Sequence, residues 1–321
     1  MYNNVTAIQQ IEKNATPVMP AGQADRVGRV IMAIATTGRR EVLSKTLAEL
    51  PRQTLQPDLL VLSITGESDI DRSVLEKMRC PVKVRIGSKG ACHQRNRVLE
   101  LVRPKDVVVF TDDDFLMAST YLEQIKALFN RHPDVVMATG KVLADGISGP
   151  GYSHAQGLDI LDWNTDGHTE YPLQPTYNGY GCNMAFYTGP VVEHGLRFDE
   201  TLPLYAWLED VDFSRQIARY GRVVRSDALA GVHLGTKGGR TNGKTFGYSQ
   251  ISNPLYLMKK GTMIPKRALS IIARNILANI IKTLRPEPWV DRRGRLYGNL
   301  LGVMDLVRGR LDPEKVLEFR K

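Results

Sequence analysis

The sequence predicts an α/β fold with a Rossmann-like, mostly parallel sheet flanked by helices. Short runs of β-branched residues alternate with helical patterns along residues 26–236, as expected when helices join parallel strands. Residues 107–110 contain no polar side chain, which indicates a central strand covered on both faces. The chain has 321 residues, of which 42% are hydrophobic, and this length suits one large domain with an appendage.

The predicted elements follow in chain order. Strands are predicted at residues 27–35, 59–64, 82–86, 107–110, 135–143 and 223–232. Helices are predicted at residues 42–50, 90–102 and 117–129, and another begins near Glu209 and stops at Gly221. A helical extension follows the last strand.

Three consecutive carboxylates, Asp112, Asp113 and Asp114, end the central strand. Open α/β sheets bind ligands at the carboxyl ends of their strands. Because alternate side chains of an extended segment point the same way, we expect Asp112 and Asp114 to converge on one metal ion while Asp113 faces the other side. Oxygen ligands of this kind suit Mg²⁺ or Mn²⁺. The alternative is a turn in which an Asp caps the next helix.

A polar loop with Thr36, Thr37, Gly38 and Arg39 follows the first strand. Hydroxyl and guanidinium groups at the end of a strand can hold the base and phosphates of a nucleotide. The loop lacks the Gly-x-Gly-x-x-Gly and P-loop spacings, which disfavours dinucleotide and Walker-type sites. The alternative is a plain turn with Gly38 in the left-handed region.

Four further residues are candidates on weaker signals. Arg95, on the predicted helix 90–102, can reach a phosphate or a base, although charge alone favours a solvated helix face. Glu209 and Asp210 lie in the first turn of a helix, where the dipole stabilises acids and an ionised carboxylate can act as a general base. His233 is either a third metal ligand or a structural side chain.

The net charge of +9 belongs to the C-terminal quarter of the chain. Of the 43 Lys and Arg residues, 18 lie between Lys237 and Lys321, against 6 of the 34 Asp and Glu residues. We therefore divide the chain into a poorly ordered lead-in (1–25), a catalytic body (26–236) and a basic helical extension (237–321). Such a tail favours an anionic partner surface, and it carries no recognised motif for reading nucleic acid.

The extension contains an amphipathic pattern between residues 265 and 286. Its arginines on one side are Arg267, Arg274 and Arg285, and its apolar residues opposite are Leu269, Ile272, Ile276 and Ile280. Two interpretations stay open: the helix covers the body with its arginines in solvent, or it lies on an anionic membrane surface.

The sequence also indicates where in the cell the protein is located. The first 25 residues lack the pattern of a signal peptide, and no apolar run reaches the roughly 18 residues needed to span a bilayer. Three cysteines without metal-site spacing suit a reducing compartment. The expected location is the cytoplasm, with peripheral contact at the inner face of the cell membrane under the second interpretation of the tail.

Several motifs together resemble a known family. In order they are the Thr-Thr-Gly-Arg-Arg loop, FTDDDF, GCNMAFYTG, FDETLP, WLEDVDFSRQIARYG and VHLG, between about residues 28 and 235. They resemble the inverting family 2 glycosyltransferases of the GT-A fold, of the bacterial polysaccharide and glycan-assembly type. The resemblance implies a hexosyltransferase that transfers a sugar from a nucleotide-sugar donor to a hydroxyl of a glycan or a lipid-linked glycan.

The resemblance also implies roles for individual residues. Asp112 and Asp114 would bind Mn²⁺ or Mg²⁺ with His233, and Asp113 would help to bind the donor. Asp210 would be the catalytic base in the motif that begins at Glu209. Thr36, Thr37 and Arg39 lie in the segment that matches the family's first nucleotide-contacting loop, and Arg95, a candidate from its place on a helix, is the further residue expected to contact the donor. A UDP-sugar is the first expectation, although uracil, guanine and thymine stay open because residues 63–67 contain no Asp for the base.

The connection at residues 144–180 is rich in Gly, Pro, Tyr and Asp, and long connections in compact domains usually serve a function. We predict a loop on the acceptor side. Its candidate rings for sugar stacking, or for ordinary packing, are Tyr152, Trp163, Tyr171, Tyr177 and Tyr180.

Two rival functions remain. A metal-dependent nucleotidyltransferase also places acids at strand ends, but it usually has a Gly-rich first loop with a Lys, which this chain lacks. A non-catalytic relative that binds a sugar or nucleotide need not retain the carboxylates at both Asp112–Asp114 and Glu209–Asp210.

Overall fold

The computed structural model describes residues 25–164, 172–238 and 242–320. The predicted lead-in therefore lies outside the described residues except for Asp25, and so does Tyr171. The strands are β1 (Val30–Ala35), β2 (Leu59–Ile64), β3 (Val82–Ile86), β4 (Val107–Thr111), β5 (Phe115–Met117), β6 (Val135–Asp145), β7 (Gln174–Pro175), β8 (Asn183–Tyr187) and β9 (Arg222–His233).

The helices flank the sheet or follow it in the chain. They are α1 (Arg40–Glu49), α2 (Arg72–Leu75), α3 (Ala91–Leu99), α4 (Tyr121–Arg131), α5 (His154–Asn164), α6 (Gly189–Glu193), α7 (Glu209–Ile217), α8 (Gly243–Lys260), α9 (Pro265–Thr283) and α10 (Arg292–Val307). Short 3₁₀ segments lie at Leu50–Arg52, Glu67–Asp69, Gly146–Ser148 and Pro313–Arg320.

The strands form one sheet in the order β3-β2-β1-β4-β8-β6-β9-β5, with β7 paired to β9. Strands β1 to β4 pair in parallel, and β8 runs antiparallel to both β4 and β6. Strand β6 pairs in parallel with β9, so both run in the direction of β4. The sheet is mostly parallel and flanked by helices, which confirms the predicted class.

Strand β4 is central, as predicted. All five of its residues are buried between β1 and β8. Val107 and Val109 pack into one hydrophobic cluster, whereas Val108 and Phe110 pack into the cluster on the other face of the sheet. A strand with both faces covered needs no polar alternation, which explains its sequence.

The predicted helix 117–129 begins later than expected, at Tyr121. The preceding residues form β5, which is antiparallel to β9 and pairs Phe115 with His233. Pairing with a distant strand overrides local helix propensity here. As a consequence, the end of β9 lies beside the carboxylates that follow β4.

The prediction of a loop across residues 144–180 is wrong in part. Strand β6 continues to Asp145, and residues 154–164 form helix α5. Leu161 of α5 packs with Leu116, Val232 and Leu234, so the helix covers β5 and the end of β9. This packing stabilises a helix that the Gly-rich and Pro-rich composition concealed.

The C-terminal helices pack on the body. Leu257 of α8 is fully buried in the same cluster as Phe213 of α7. Lys260 donates to Asp199 at 2.6 Å and to Asp212 at 2.7 Å, which joins α8 to α7 and to the segment before it. Among the residues that the structure describes, none of the helices has both the length and the hydropathy needed to cross a bilayer.

Candidate functional site

Asp112, Asp114 and His233 come together at the carboxyl ends of β4 and β9. One ligand atom from each of them lies within 4.8 Å of the others. His233 Nε2 lies 3.7 Å from Asp112 Oδ2 and 3.5 Å from Asp114 Oδ1. The sequence prediction that these side chains converge agrees with this geometry.

These three residues fit a divalent cation. Asp114 Oδ1 is buried without a hydrogen-bond partner, although its carboxylate is otherwise well bound: Oδ2 accepts from Arg39 at 2.8 Å and from the Thr236 N–H at 2.7 Å. A buried carboxylate oxygen without a donor is costly unless something binds it. Two carboxylates and an imidazole are a ligand set that Mn²⁺ accepts.

His233 is oriented by Asp145, a residue that the sequence analysis did not single out. The His233 Nδ1–H donates to Asp145 Oδ1 at 2.9 Å, which directs Nε2 towards Asp112 and Asp114. Asp145 Oδ2 accepts from the Tyr180 hydroxyl at 2.8 Å. Burial by itself lowers the pKa of His233, but the nearby carboxylates of Asp114 and Asp145 outweigh burial and raise the pKa to about 10.

Asp113 faces away from this group, as predicted. It is 3% exposed and accepts from the Thr36 hydroxyl at 2.5 Å, and Arg39 lies 2.9 Å from its other oxygen. Burial raises the pKa of Asp113 to about 7, with Arg39 opposing the shift. Asp113 therefore holds the first loop against the end of β4, and Arg39 bridges Asp113 and Asp114.

Thr37 lies in a second part of this loop. Its hydroxyl is hydrogen-bonded to that of Thr65 at 2.7 Å. Asp69 accepts from the backbone N–H of Gly38 at 2.6 Å and from that of Thr65 at 2.9 Å. Gly38 has a φ of +66°, so the turn considered as the alternative is present as well. The carboxylate that organises this corner is Asp69, which lies after the residues 63–67 inspected in the sequence.

Arg95 is buried, so the solvated helix face that charge alone favoured is wrong. Its side chain is 7% exposed and forms an ion pair with Glu209. The second terminal nitrogen donates to the Gly181 carbonyl at 3.0 Å. The sequence could not show this, because the partners of Arg95 lie more than 80 residues away along the chain.

Glu209 and Asp210 begin α7 after an unusual turn. Leu204, Ala206 and Leu208 all have positive φ values, of 61°, 51° and 77°. Non-glycine residues rarely adopt this region, and strained backbone of this kind concentrates at functional sites. The turn leaves Asp210 half-buried, whereas Glu209 is buried against Arg95.

The backbone of residues 180–182 connects the two groups of acids. The Gly181 N–H donates to Asp210 Oδ2 at 3.0 Å, and the Cys182 carbonyl accepts from the Asp112 N–H at 3.2 Å. Burial raises the pKa of Asp210, while Arg95 and the N–H groups of Gly181 and Val211 oppose this shift. The arrangement holds a carboxylate with a raised pKa next to a candidate cation site.

The sequence model of glycosyltransferase like family 2 matches residues 28–288. The chain belongs to this family. No curated protein matches its sequence.

Solved structures of glycosyltransferases share the fold of this family 2 member. The mannosyltransferase PcManGT from Pyrobaculum calidifontis, in complex with GDP-Man and Mn²⁺, aligns over 97% of this chain and 91% of its own, at 13% identity and a TM-score of 0.51. S. aureus TarS 1-349 in complex with UDP-GlcNAc aligns over 90% of this chain and 83% of its own, at 14% identity and a TM-score of 0.54. The fold is GT-A.

The candidate rings of this glycosyltransferase have different surroundings. Tyr180 is bound to Asp145, and the Tyr177 ring packs against Arg215 and Arg267, at 4.7 and 4.1 Å from its centroid. Trp163 is 89% exposed, and Tyr152 is 37% exposed. Tyr177 and Tyr180 therefore make packing and hydrogen-bond contacts within the protein, and a further ring, Tyr205, is 53% exposed in the turn before α7.

Proposed function

We propose that the protein is an inverting glycosyltransferase of the hexosyltransferase class. It transfers a sugar from a nucleotide-sugar donor to a hydroxyl of a glycan or lipid-linked glycan, as in bacterial polysaccharide assembly. One observation supports this most directly: residues 180–182 hold Asp210 beside the Asp112, Asp114 and His233 group. A leaving group and a base must lie on the two sides of one reacting carbon.

The donor side consists of the first loop and the three cation ligands. Asp112, Asp114 and His233 would hold Mn²⁺ or Mg²⁺, which neutralises the charge of a diphosphate leaving group when bound. Thr36, Thr37 and Arg39 would line the nucleotide, with Asp113 holding the loop in place. Arg95 would act through Glu209, because both are buried in one ion pair. A UDP-sugar is the first donor to test.

Asp210 is the residue best placed to act as the base. Its oxygens accept from two backbone N–H groups, those of Gly181 at 3.0 Å and Val211 at 2.7 Å, which orient the carboxylate. It takes the proton from the acceptor hydroxyl as that oxygen attacks the anomeric carbon and the diphosphate leaves on the opposite face. A single displacement inverts the configuration, and it needs no second carboxylate as a nucleophile.

The division of the chain remains part of the proposal. Residues 26–236 would form the nucleotide-sugar-dependent catalytic domain, and residues 237–321 would form a basic extension on it. We place the enzyme in the cytoplasm, with the extension in peripheral contact with the membrane that carries a lipid-linked acceptor.

The test is a panel of nucleotide-sugars with Mn²⁺ or Mg²⁺, read out as released nucleoside diphosphate. We expect turnover with one donor class, and an anomeric configuration in the product opposite to that in the donor by NMR. Release of pyrophosphate would instead show a nucleotidyltransferase. Metal-dependent donor binding without turnover for any acceptor in a glycan panel would show a non-catalytic relative.

A further inference from the structure

Helix α9 exposes several large apolar side chains to solvent together with most of its cations, and it buries a polar side chain against the protein. Its buried residues are Ala268 and Asn279. Its exposed apolar residues, including one just after the helix, are Leu269, Leu277, Ile280, Ile281 and Leu284. Leu277 and Ile281 are each 58% exposed, and Leu284 is 89% exposed. A globular protein usually turns such large apolar side chains of a surface helix toward its core.

The inward side of α9 is stabilised by a cluster of amides. Asn279 is fully buried and donates to Gln250 of α8 and to Asn299 of α10, both at 2.8 Å. Asn299 in turn donates to the Gly247 carbonyl at 2.7 Å, and Arg292 donates to Asn279 at 3.1 Å. Because the cluster is internally hydrogen-bonded, α9 can bury its polar side without a large penalty.

Helix α10 has the same pattern. Its buried residues are Gly298, Asn299, Gly302 and Asp305. A Cβ at Gly298 would collide with the Lys244 carbonyl, so small residues are required where α10 meets α8. Its exposed apolar residues are Tyr297, Leu300, Val303, Met304, Leu306 and Val307.

Both helices converge on the same amide cluster, so their apolar sides point away from the protein. We call the exposed apolar residues of α9 and α10, with Leu284, the inverted face. Monomeric soluble proteins rarely expose apolar groups in such concentration without a partner that covers them.

The charges around the inverted face indicate what covers it. Lys266, Arg274 and Arg285 are exposed on this segment, whereas Lys282 pairs with Glu287 at 2.6 Å and Arg267 packs on the Tyr177 ring. A second copy of the chain would bring these like charges together across the contact. An anionic surface would neutralise them, and an apolar layer beneath that surface would accept the exposed leucines and isoleucines.

We propose that the inverted face is the surface by which this protein docks on a bilayer containing anionic lipids. The helices lie in the interface with their apolar side chains in the acyl boundary and their cations among the head groups. None of the described helices can cross the bilayer, so the contact is peripheral. The inference rests on the peripheral contact included in the proposed function and not on sugar transfer, and binding is measured without donor or acceptor.

The test is co-sedimentation of the full chain with vesicles of phosphatidylcholine, with or without phosphatidylglycerol. We expect pelleting only with the anionic vesicles, weakening as salt rises. Arg274→Gln/Arg285→Gln lowers the partition coefficient by about 25-fold, since each cation near an anionic leaflet contributes about fivefold. Leu277→Gln/Ile281→Gln/Leu284→Gln lowers it by at least about tenfold through lost apolar burial.

The matched control is Ile86→Gln/Val192→Gln, which changes exposed apolar residues outside these helices, at 51% and 42% exposure. This variant should pellet like the wild type. Equal pelleting of the triple variant and wild type, equal pelleting with neutral vesicles, or no pelleting at low salt overturns the proposal. So does a wild-type dimer in light scattering that the triple variant abolishes, because the face would then join two copies.

Discussion

The backbone N–H of Gly181 donates to the Asp210 carboxylate at 3.0 Å, while the carbonyl of the same glycine accepts from Arg95 at 3.0 Å. A Cβ at Gly181 would lie 3.3 Å from Glu209 and 3.6 Å from Asp210, so the acids pack closely against this backbone. One peptide segment therefore orients the candidate base and the arginine that neutralises its neighbour.

Asp210→Asn is expected to lower kcat by about 10²- to 10⁴-fold, the usual contribution of a general base. The amide keeps the shape of the carboxylate but cannot accept a proton at neutral pH. Donor affinity, measured by calorimetry with Mn²⁺, should stay near the wild-type value. If Glu209→Gln removes turnover while Asp210→Asn keeps it, the base is Glu209.

The raised pKa of Asp210 predicts the acid limb of the pH–rate profile. A base works only when deprotonated, so kcat should fall as pH decreases through the raised pKa, at a higher pH than an ordinary Asp would give. The limb should be absent from the residual activity of Asp210→Asn. If the kcat of the wild type does not fall as the pH decreases from neutral to acidic values, no titrating base controls the rate.

Arg95→Met is expected to destabilise the fold by about 3–5 kcal/mol, because Glu209 would remain buried without its partner. Arg95→Met/Glu209→Leu should recover much of this loss, since neither charge then remains. Urea unfolding of the wild type, the two single variants and the double variant measures the coupling free energy between Arg95 and Glu209.

Arg85→Met is the matched control: it breaks the exposed pair with Glu100 and should cost less than about 1 kcal/mol. Equal costs for Arg95→Met and Arg85→Met would contradict burial of Arg95.

Asp145→Asn is expected to weaken Mn²⁺ binding by about 10- to 100-fold, the usual effect of losing the partner that orients a ligand histidine. Titration calorimetry with Mn²⁺ alone measures it without turnover. Tyr180→Phe is the control, because it removes the other bond to Asp145 and leaves His233 in contact. Unchanged affinity in Asp145→Asn would mean that His233 does not bind the ion.

Asp199→Asn tests how the extension is fastened to the body. Burial by itself raises the pKa of Asp199, but hydrogen bonds from Lys260 and Tyr256 outweigh burial and lower the pKa. The ionised Asp199 therefore stabilises the fold at pH values above its pKa in the unfolded chain. This stabilisation is lost as the pH falls through the lower pKa that Asp199 has in the folded protein. In urea unfolding, the free energy of unfolding of the wild type should exceed that of Asp199→Asn at neutral pH. The difference between the two should disappear below about pH 4. The control is Asp159→Asn, at an exposed position, which should unfold at the same urea concentration as the wild type at neutral pH.

Some features were determined by the sequence alone. The apolar run at residues 107–110 can be satisfied only where both faces of a strand are covered, so β4 and the acids at its end were predictable. Alternation of side chains then separated Asp113 from Asp112 and Asp114 without any knowledge of the fold.

Other features were decided only by tertiary structure. Strand β5 forms because Phe115 meets His233 across the sheet, and Asp145 becomes important because that pairing brings His233 within its reach. Arg95 is buried because Gly181 and Glu209 arrive from distant elements. Helix α9 buries Asn279 because this side chain finds amide partners on two other helices, and Leu277 and Ile281 remain in solvent. Local periodicity shows which residues share a face, but long-range partners decide whether that face points to the core or to solvent.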